Sequence, residues 1–419
     1  MENEKHILEY RELLEIIEGE ENHLLIANGF NYGLAVGTGY KEIFDKMIEK
    51  NNGVYKEAQS SFEKCGYDLE LFLEEIRKDI SSENVFLTKY VNNKIKLDFM
   101  QALHEIVKSK IKNVYAEKNE GIFLLLNKFT NYFTLNYDPF LYMLLLKHKI
   151  SKNENDSLVI QPTLPYIQED IDTQHNNLYT EIKQLRDSGL LVISVEGDPS
   201  SRTESELMLL TKTQFVSALQ AYSKKNNKEW KQKDINRVVD RILEEENRNK
   251  VLEKIDDGSR QLRLFGDEFV FTYPETQNLF FLHGAFHIYR DGKSIKKITQ
   301  DTDASLYNKL EEILNGDNKD IVCVFQTKDK LDAINSNEYL ANCYNKLSTL
   351  SGNMVIIGSS LADNDDHIFS QIKNSIIQNV FVSSIDKNMD EYFEVAKRKF
   401  NKKEVYMLRA ETISYEKID

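Results

Sequence analysis

Short apolar runs alternate with segments of helical spacing along the last third of the chain. Four of these runs predict strands, at 320–325, 353–357, 379–383 and 404–408. Residues 328–350 and 388–400 have the spacing of amphipathic helices, and a further helix begins near Asp365. Strands that are apolar throughout and separated by helices are typical of a parallel sheet that is covered on both faces. The pattern therefore predicts an α/β fold with a Rossmann-like parallel sheet and helices on both faces.

The earlier part of the chain shows the same two patterns less regularly. Apolar runs predict further buried strands at 23–27, 132–135, 269–273, 278–282 and 285–289. Helical spacing is found at 5–18, 40–50, 62–117 and 120–129. Another helix is predicted from Asp138-Pro139 to about Lys147, because proline fits the first turn of a helix.

The middle of the chain has a different composition. Residues 151–157 and 196–204 are polar and predict loops, whereas 213–256 combines helical spacing with many charges. We expect residues 151–265 to form a mixed, mainly helical insertion. The flanking parts, 1–150 and 266–419, would then form one domain, with a second helical insertion at about 50–117.

Polar or glycine-containing motifs follow four of the predicted strands directly. They are Asn28-Gly29-Phe30, Asn136-Tyr137-Asp138, His283-Gly284 and Gly358-Ser359-Ser360. The carboxyl ends of parallel strands line one crevice, so the four motifs are predicted to converge there. Glycine after a strand lets backbone N–H groups approach a phosphate, although an ordinary strand-to-helix turn explains a single motif equally well. The standard GxGxxG and P-loop fingerprints are absent from the segment around Gly29.

Composition narrows the classes of function. The 419 residues carry a net charge of −14, which argues against general nucleic-acid binding and against docking on an anionic membrane. A local cleft can still bind a small anion. The three cysteines form no CxxC pair, so neither a disulfide framework nor a four-cysteine zinc site is expected. The sequence shows no signal peptide and no apolar stretch of membrane-spanning length, so we expect a cytoplasmic protein. Because the cysteines form no pair, we also expect no metal.

Three of the segments resemble the sirtuin-like (Sir2-like) NAD-hydrolase superfamily. They are "FTLNYDPF", "FLHGAFHIY" and "MVIIGSSLADNDDHI", and they occur in that superfamily's order. Together with residues 330–347 they resemble more narrowly a bacterial branch of antiphage-defence proteins. The resemblance implies that these segments surround one molecule of NAD⁺, which would be the substrate.

The resemblance also implies catalytic roles for three residues. Asn136 would contact the nicotinamide ribose and position water, and Asp138 would lie near the nicotinamide pocket. His283 would act as general base on a ribose hydroxyl, for which the ordinary pKa of imidazole is well suited. Each has a structural alternative: a turn or helix cap for Asn136 and Asp138, and a buried hydrogen-bonded histidine for His283. His287, four residues on, is predicted to be structural.

Two further groups would bind the rest of the dinucleotide. The resemblance assigns the pyrophosphate to Ala27, Asn28, Gly29 and Phe30. It assigns the adenosine ribose and phosphates to Gly358, Ser359 and Ser360, where small hydroxyls and free N–H groups suit the task. A simple turn is the alternative for both. Asp365, Asp366 and His367 recur in the bacterial branch, but helix capping also explains the two acids.

The chain departs from classical sirtuin deacylases in three places. Its first loop is Ala27-Asn28-Gly29 rather than glycine-alanine-glycine, the four-cysteine zinc module is missing, and 147 positions (283 − 136) separate Asn136 from His283. These departures favour attack by water over deacylation. The predicted function is therefore NAD⁺ glycohydrolysis to nicotinamide and ADP-ribose. The alternatives are a non-catalytic subunit that senses NAD⁺ or ADP-ribose, an ADP-ribosyl or acyl transferase, and a helical scaffold with a degenerate nucleotide fold.

Unregulated loss of NAD⁺ is lethal, so the resemblance implies a regulated effector of antiviral defence. It further implies a homo-oligomer and, by analogy with some relatives, a HerA-type DNA-translocating ATPase as a partner. No direct contact with nucleic acid or membrane is expected. The sequence names neither the trigger nor the role of the insertions.

Overall fold

The computed structural model describes residues 7–51, 53–80, 84–116, 120–149, 173–187, 212–239, 255–261, 268–298, 303–325 and 329–414. Contacts divide the chain into two units. One combines Met1–Pro162 with Ile255–Asp419, and the other is Thr163–Lys254. The predicted loops at 151–157 and 196–204 lie outside the described residues, as does the part of the predicted helical region 213–256 from 240 to 254.

The strands are β1 (Ile7–Leu8), β2 (Asn22–Ile26), β3 (Asn131–Thr134), β4 (Ser259–Gln261), β5 (Phe269–Phe271), β6 (Leu279–Phe281), β7 (Gly284–Asp291), β8 (Ser294–Lys297), β9 (Lys319–Cys323), β10 (Ser351–Ile357), β11 (Ile376–Ser384) and β12 (Glu404–Arg409). Seven of them form a sheet in the order β1-β12-β11-β10-β2-β3-β6, in which each pair of neighbours is parallel. The Rossmann-like α/β fold predicted from the sequence is confirmed.

The helices of the first unit surround this sheet or extend from it. They are α1 (Tyr10–Ile16), α2 (Asn28–Gly33), α3 (Tyr40–Lys50), α4 (Gln59–Lys64), α5 (Leu69–Asp79), α6 (Val85–Ala116), α7 (Glu120–Leu126) and α8 (Phe140–Lys149), then after the second unit α11 (Asp303–Asn315), α12 (Lys330–Asn335), α13 (Glu338–Ser348), α14 (Asp366–Asn374) and α15 (Met389–Lys399). The second unit contains α9 (Thr173–Asp187), α10 (Lys212–Lys225) and a helical segment at 232–239. Its small core is built from Ile182, Leu185, Val216, Leu219, Ile235, Val238 and Val239.

A second sheet, which the sequence did not predict, takes three of the predicted strands. Its order is β4-β5-β8-β7-β9 and its neighbours are antiparallel. The run at 320–325 was assigned to the parallel sheet, and that assignment is wrong, because β9 pairs with β7. Gly284, at φ +77°, turns the chain out of the parallel sheet directly after β6, and a tight turn at Gly292 then joins β7 to β8.

The predicted helix at 5–18 begins later than expected. Ile7 and Leu8 pair in parallel with β12 at the sheet edge, and the helix itself covers only Tyr10–Ile16. At the sheet edge, the backbone groups of Ile7 and Leu8 find hydrogen-bond partners in β12. The local helical pattern does not predict this long-range pairing.

The core of the parallel sheet lies around its central strands. Every residue of β2 is buried, and so are the last five residues of β10. Towards their amino-terminal ends, these strands are joined by a ladder of asparagine side chains. The side chain of Asn379 donates to Asn353 Oδ1 (2.8 Å), and that of Asn353 donates to Asn22 Oδ1 (2.9 Å). Since these three residues are register partners, the ladder favours this register over a slipped one.

Strands β2 and β10 are neighbours at the topological switch point of the sheet. From this pair, the chain continues to β3 on one side and to β11 on the other. Their carboxyl ends touch: the N–H of Gly29 donates to the carbonyl of Gly358 (2.9 Å). A Cβ on Gly358 would lie 2.1 Å from the backbone nitrogen of Phe30, and one on Gly29 would lie 2.6 Å from the Cα of Gly358. Only glycine fits at both positions.

Gly358→Ala is expected to destabilise the fold strongly. Gly358 has φ +75°, and Gly19, which has φ +76° with nothing within 4 Å of a Cβ, provides the matched control. Gly19→Ala should cost only the left-handed backbone strain, about 1 kcal/mol. Gly358→Ala adds an overlap with backbone atoms and should cost about 3 kcal/mol or more. Urea unfolding measures both variants, and equal losses would show that the contact between the two loops contributes nothing.

Candidate active site

A cavity of about 470 Å³ opens at the carboxyl ends of β2, β3, β6 and β10. Nine of the ten residues that the sequence singled out line it: Ala27, Asn28, Gly29, Asn136, Asp138, His283, Gly358, Ser359 and Ser360. The tenth, Phe30, is fully buried and does not line the cavity. The four motifs therefore meet at one place, as the strand topology requires. His287 is fully buried in β7, away from the cavity lining.

A second cavity, of about 870 Å³, lies between α3 and α6. Its carboxylates are largely matched by lysines: Glu105 pairs with Lys46 and Lys50, and Asp303 pairs with Lys108. Ion pairs of this kind on an open charged surface leave few groups to orient a ligand. The first cavity, which is lined by convergent polar groups from several strands, is the better candidate.

Asn31, which the sequence analysis missed, connects the predicted catalytic residues. Its side-chain N–H groups donate to Asp138 Oδ2 (3.1 Å) and to the hydroxyl of Thr38 (2.9 Å). Its carbonyl oxygen accepts a hydrogen bond from Asn136 Nδ2 (3.2 Å). Thr38 in turn donates to Asn28 Oδ1. This network fixes the side chain of Asn136 and leaves its carbonyl oxygen available to a ligand or to water.

Asp138 is a deeply buried carboxylate. Burial raises its pKa to about 6, although hydrogen bonds from the N–H of Phe140 and from Asn31 lower it in part. The bond from Phe140 (2.8 Å) caps the first turn of α8, which is the structural alternative raised from the sequence. Both carboxyl oxygens have partners in the protein, so the catalytic assignment of Asp138 stays a prediction.

The glycine loop after β2 uses most of its N–H groups internally. Those of Ala27, Gly29 and Phe30 donate to the carbonyls of Ile357, Gly358 and Ala27. The glycines thus allow two loops to touch. In the touching loop after β10, Ser359 Oγ accepts the N–H of Leu361 (3.1 Å), which leaves the Ser359 hydroxyl proton available to a ligand. Ser360, beside it, is exposed.

His283 is nearly fully buried, and its Nε2 has no hydrogen-bond partner among the described residues. Burial holds its pKa well below the ordinary value, the charges of Lys330 and His367 lower it further, and a hydrogen bond with the backbone of Leu135 partly opposes them. The imidazole is therefore neutral at physiological pH. A neutral ring with a free, desolvated nitrogen in a cavity can accept a proton from a bound hydroxyl.

Glu70, Lys330 and Asp365 form a buried charged group that the sequence analysis also missed. Lys330 Nζ lies 3.1 Å from Glu70 Oε2 and 3.4 Å from Asp365 Oδ1. Glu70 Oε1 accepts a hydrogen bond from the hydroxyl of Tyr137 (2.5 Å). Burial raises the pKa of Glu70 to about 7, and the Lys330 ammonium opposes this rise. Helical spacing suggests exposure for charges on α5 and gives no signal that Glu70 lines a cavity.

The sequence suggested that Asp365 and Asp366 cap a helix, but the structure gives both carboxylates other partners. Asp365 precedes α14 but makes no side-chain capping hydrogen bond there. Asp366 and Asp363 both pair with Lys399. Capping therefore fails as the explanation for Asp365, whose carboxylate faces Lys330 and the cavity.

A family described as a domain of unknown function, DUF4917, matches residues 213–416, just under half of the chain. The matched part contains His283, Lys330, Gly358 and Asp365, whereas Asn28 and Asn136 precede it. No curated protein matches the chain. The matched family has no described activity, so the function is inferred from the cavity.

Two other features are missing from the described residues: a cluster of metal ligands and a membrane-spanning helix. Within that part of the chain, three or more histidine, cysteine, aspartate or glutamate side chains are nowhere grouped so as to hold a metal ion. The helices in the same ranges are all too short or too polar to cross a membrane.

Asp138→Asn tests how burial controls this carboxyl group. Its pKa is about 6 in the folded protein and about 3.9 in an unfolded chain, so the folded protein binds more protons between those pH values. The contribution of Asp138 to the free energy of unfolding therefore falls as pH rises from about 4 to 6, by up to about 3 kcal/mol.

Asparagine does not titrate and loses the bond from Asn31 at every pH. The unfolding free energy of the wild type minus that of the variant should therefore decrease by most of this amount between about pH 4.5 and 7.5, as measured by urea unfolding. A difference that is constant with pH would contradict the burial argument.

Proposed function

We propose that this protein is an NAD⁺ glycohydrolase that releases nicotinamide and ADP-ribose. The observation that carries the proposal is the convergence of Asn136, His283 and the Gly29 and Gly358 loops on one cavity. These residues come from distant parts of the chain, and the resemblance to sirtuin-like enzymes assigns them to one dinucleotide. The size of the cavity is within the usual range for small-molecule sites.

The reaction needs positioning and charge stabilisation rather than a strong nucleophile. Nicotinamide leaves as a neutral group while positive charge develops on the ribose. The side-chain oxygen of Asn136 has no hydrogen-bond partner among the described residues, and its side-chain nitrogen is held by Asn31. This oxygen is therefore suited to orient water or a ribose hydroxyl. His283 is neutral, and its Nε2 has no hydrogen-bond partner within the described part of the chain, so it is suited to take the proton. The acidic lining formed by Asp138, Asp365 and Glu70 favours a cationic transition state.

The other end of the dinucleotide would lie along the strand ends at β2 and β10. Because three of the four N–H groups at 27–30 are bonded internally, the pyrophosphate would rely on other donors. The hydroxyl-bearing residues Ser359 and Ser360 and the amide-bearing Asn28 line the same cavity. The pyrophosphate would thus be bound by side chains rather than by the backbone N–H groups of residues 27–30.

The biological setting is part of the same proposal. A regulated effector of antiviral defence, assembled as a homo-oligomer and controlled by a HerA-type ATPase, follows from the resemblance alone. The cytoplasmic location is proposed from the cysteine content. Turnover by the isolated protein and turnover in the presence of the protein encoded by a neighbouring gene should therefore be compared.

Nicotinamide release from NAD⁺ is the direct test. Asn136→Ala and His283→Ala should each lower the rate by at least about 100-fold, as expected for loss of a positioning or acid–base group. Asn345→Ala, an exposed substitution on α13, provides the control and should keep the full rate. Thermal unfolding of each variant checks that the fold is retained.

The products separate the proposal from its alternatives. Free nicotinamide and free ADP-ribose in equal amounts support hydrolysis. Saturable NAD⁺ binding without nicotinamide release, even with the partner, would instead identify a sensor. Nicotinamide release with the ADP-ribose attached to protein would identify a transferase. Full turnover by either alanine variant at the site would remove the roles assigned to these residues.

A further inference from the structure

The charged group beside His283 has a geometry that the proposed reaction does not yet use. Asp365 Oδ1 lies 3.6 Å from His283 Nε2, the nitrogen that lacks a hydrogen-bond partner among the described residues. The same oxygen lies 3.4 Å from Lys330 Nζ. One carboxylate oxygen is thus shared between the side-chain nitrogen of Lys330 and the nitrogen that would receive a proton.

Lys330 is held from the opposite side by Glu70. The carboxylate of Glu70 is 3.1 Å from Lys330 Nζ, and it is itself fixed by the hydroxyl of Tyr137 (2.5 Å). The Tyr137 oxygen also lies 2.8 Å from the carbonyl of Val324, so that its one proton is shared between the two acceptors. The N–H of Val324 donates to the carbonyl of His283. These contacts connect the side chains of Lys330, Glu70 and Tyr137, through Val324, to the backbone of His283.

We propose that Asp365 is the positioning residue for His283, and that Lys330, held between Asp365 and Glu70, sets how readily His283 accepts a proton. This inference rests on the proposed function of the same cavity. It adds three residues to a mechanism that resemblance limits to Asn136, Asp138 and His283.

The proton balance is simple. In NAD⁺ + H₂O → nicotinamide + ADP-ribose + H⁺, the water or a ribose hydroxyl gives its proton to His283 Nε2. The new N–H bond points back to the oxygen that gave the proton, and the carboxylate of Asp365, 3.6 Å from Nε2, stabilises the imidazolium by its negative charge. While no substrate proton is present, the ammonium of Lys330 balances Asp365 and keeps the imidazole neutral. The proton is then released to solvent with the product.

Other groups also face His283 and enter its electrostatics. His367 on α14 stacks against it with ring centroids 5.6 Å apart, and Tyr137 lies with its ring centroid 6.5 Å away. The positive charge of Lys330 lowers the pKa of His283 and that of His367. Asp365 raises the pKa of His367. Since both histidine rings respond to the same charges, both must be followed in a test.

Histidine NMR tests the inference without using activity. The eight histidines are labelled with ¹³C at Cε1 and titrated in the full-length protein, and His283→Gln and His367→Gln assign the two signals. Lys330→Gln should raise the pKa of His283 by at least about one unit, the usual effect of removing a nearby like charge. Adding Asp365→Asn to Lys330→Gln should cancel most of that rise.

Asp363→Asn provides the matched control on the Lys330→Gln background. It removes the same charge two residues away, but Asp363 is exposed and pairs with Lys399. The rise should persist with Asp363→Asn. If Lys330→Gln does not fold because Glu70 loses its partner, the double variant Glu70→Gln/Lys330→Gln removes both buried charges and serves as the background instead.

Two outcomes would overturn the inference: an unchanged His283 titration in Lys330→Gln, or a rise that Asp363→Asn cancels as well as Asp365→Asn does. The failure of the proposed function has a separate signature. If the titrations move as expected while the wild type releases no nicotinamide, the electrostatic network is correct and the glycohydrolase proposal is wrong. If the wild type hydrolyses NAD⁺ while the titrations stay fixed, only the present inference fails.

Discussion

The contact between Gly29 and Gly358 is the constraint on which the site depends. Two neighbouring strand ends can share one crevice only if the loops that follow them turn away without colliding. Here the loops touch backbone to backbone, with an N–H to carbonyl bond of 2.9 Å where any side chain would overlap. Because the two loops are joined there, Asn28 and Ser359 face the same cavity. The glycines are thus needed for the architecture before any ligand is considered.

Burial then decides the charge state of the cavity. Asp138 and Glu70 have raised pKa values because desolvation penalises their anions, and His283 has a lowered pKa because desolvation penalises its cation. All three groups are therefore shifted towards their neutral forms. A site of this kind can exchange protons near neutral pH, since little free energy separates the two states of Asp138 or Glu70. Lys330 compensates part of the acidic charge within the cavity wall.

The sequence predicts those parts of the fold that depend on local pattern. Uniformly apolar runs predict the strands of the parallel sheet, and the polar motifs that follow these strands predict which residues meet, because strand direction alone determines that edge. The antiparallel sheet escapes prediction, since β7 and β9 are as apolar as the parallel strands and only their pairing distinguishes them. Asn31 escapes for a different reason: its partner Asp138 is 107 positions away, and nothing in the residues near Asn31 indicates that contact.

Glu70 illustrates what the insertion contributes. It belongs to α5, within the segment 50–117 that the sequence treats as an addition to the nucleotide-binding fold, yet its carboxylate lines the cavity and holds Lys330. Tyr40 and Phe99, from α3 and α6, line the same cavity. A displacement of α5 would break the bonds of Glu70 to Lys330 and Tyr137, and would leave buried charges without partners at a cost of several kcal/mol. The position of the insertion and the electrostatic state of His283 are therefore physically coupled.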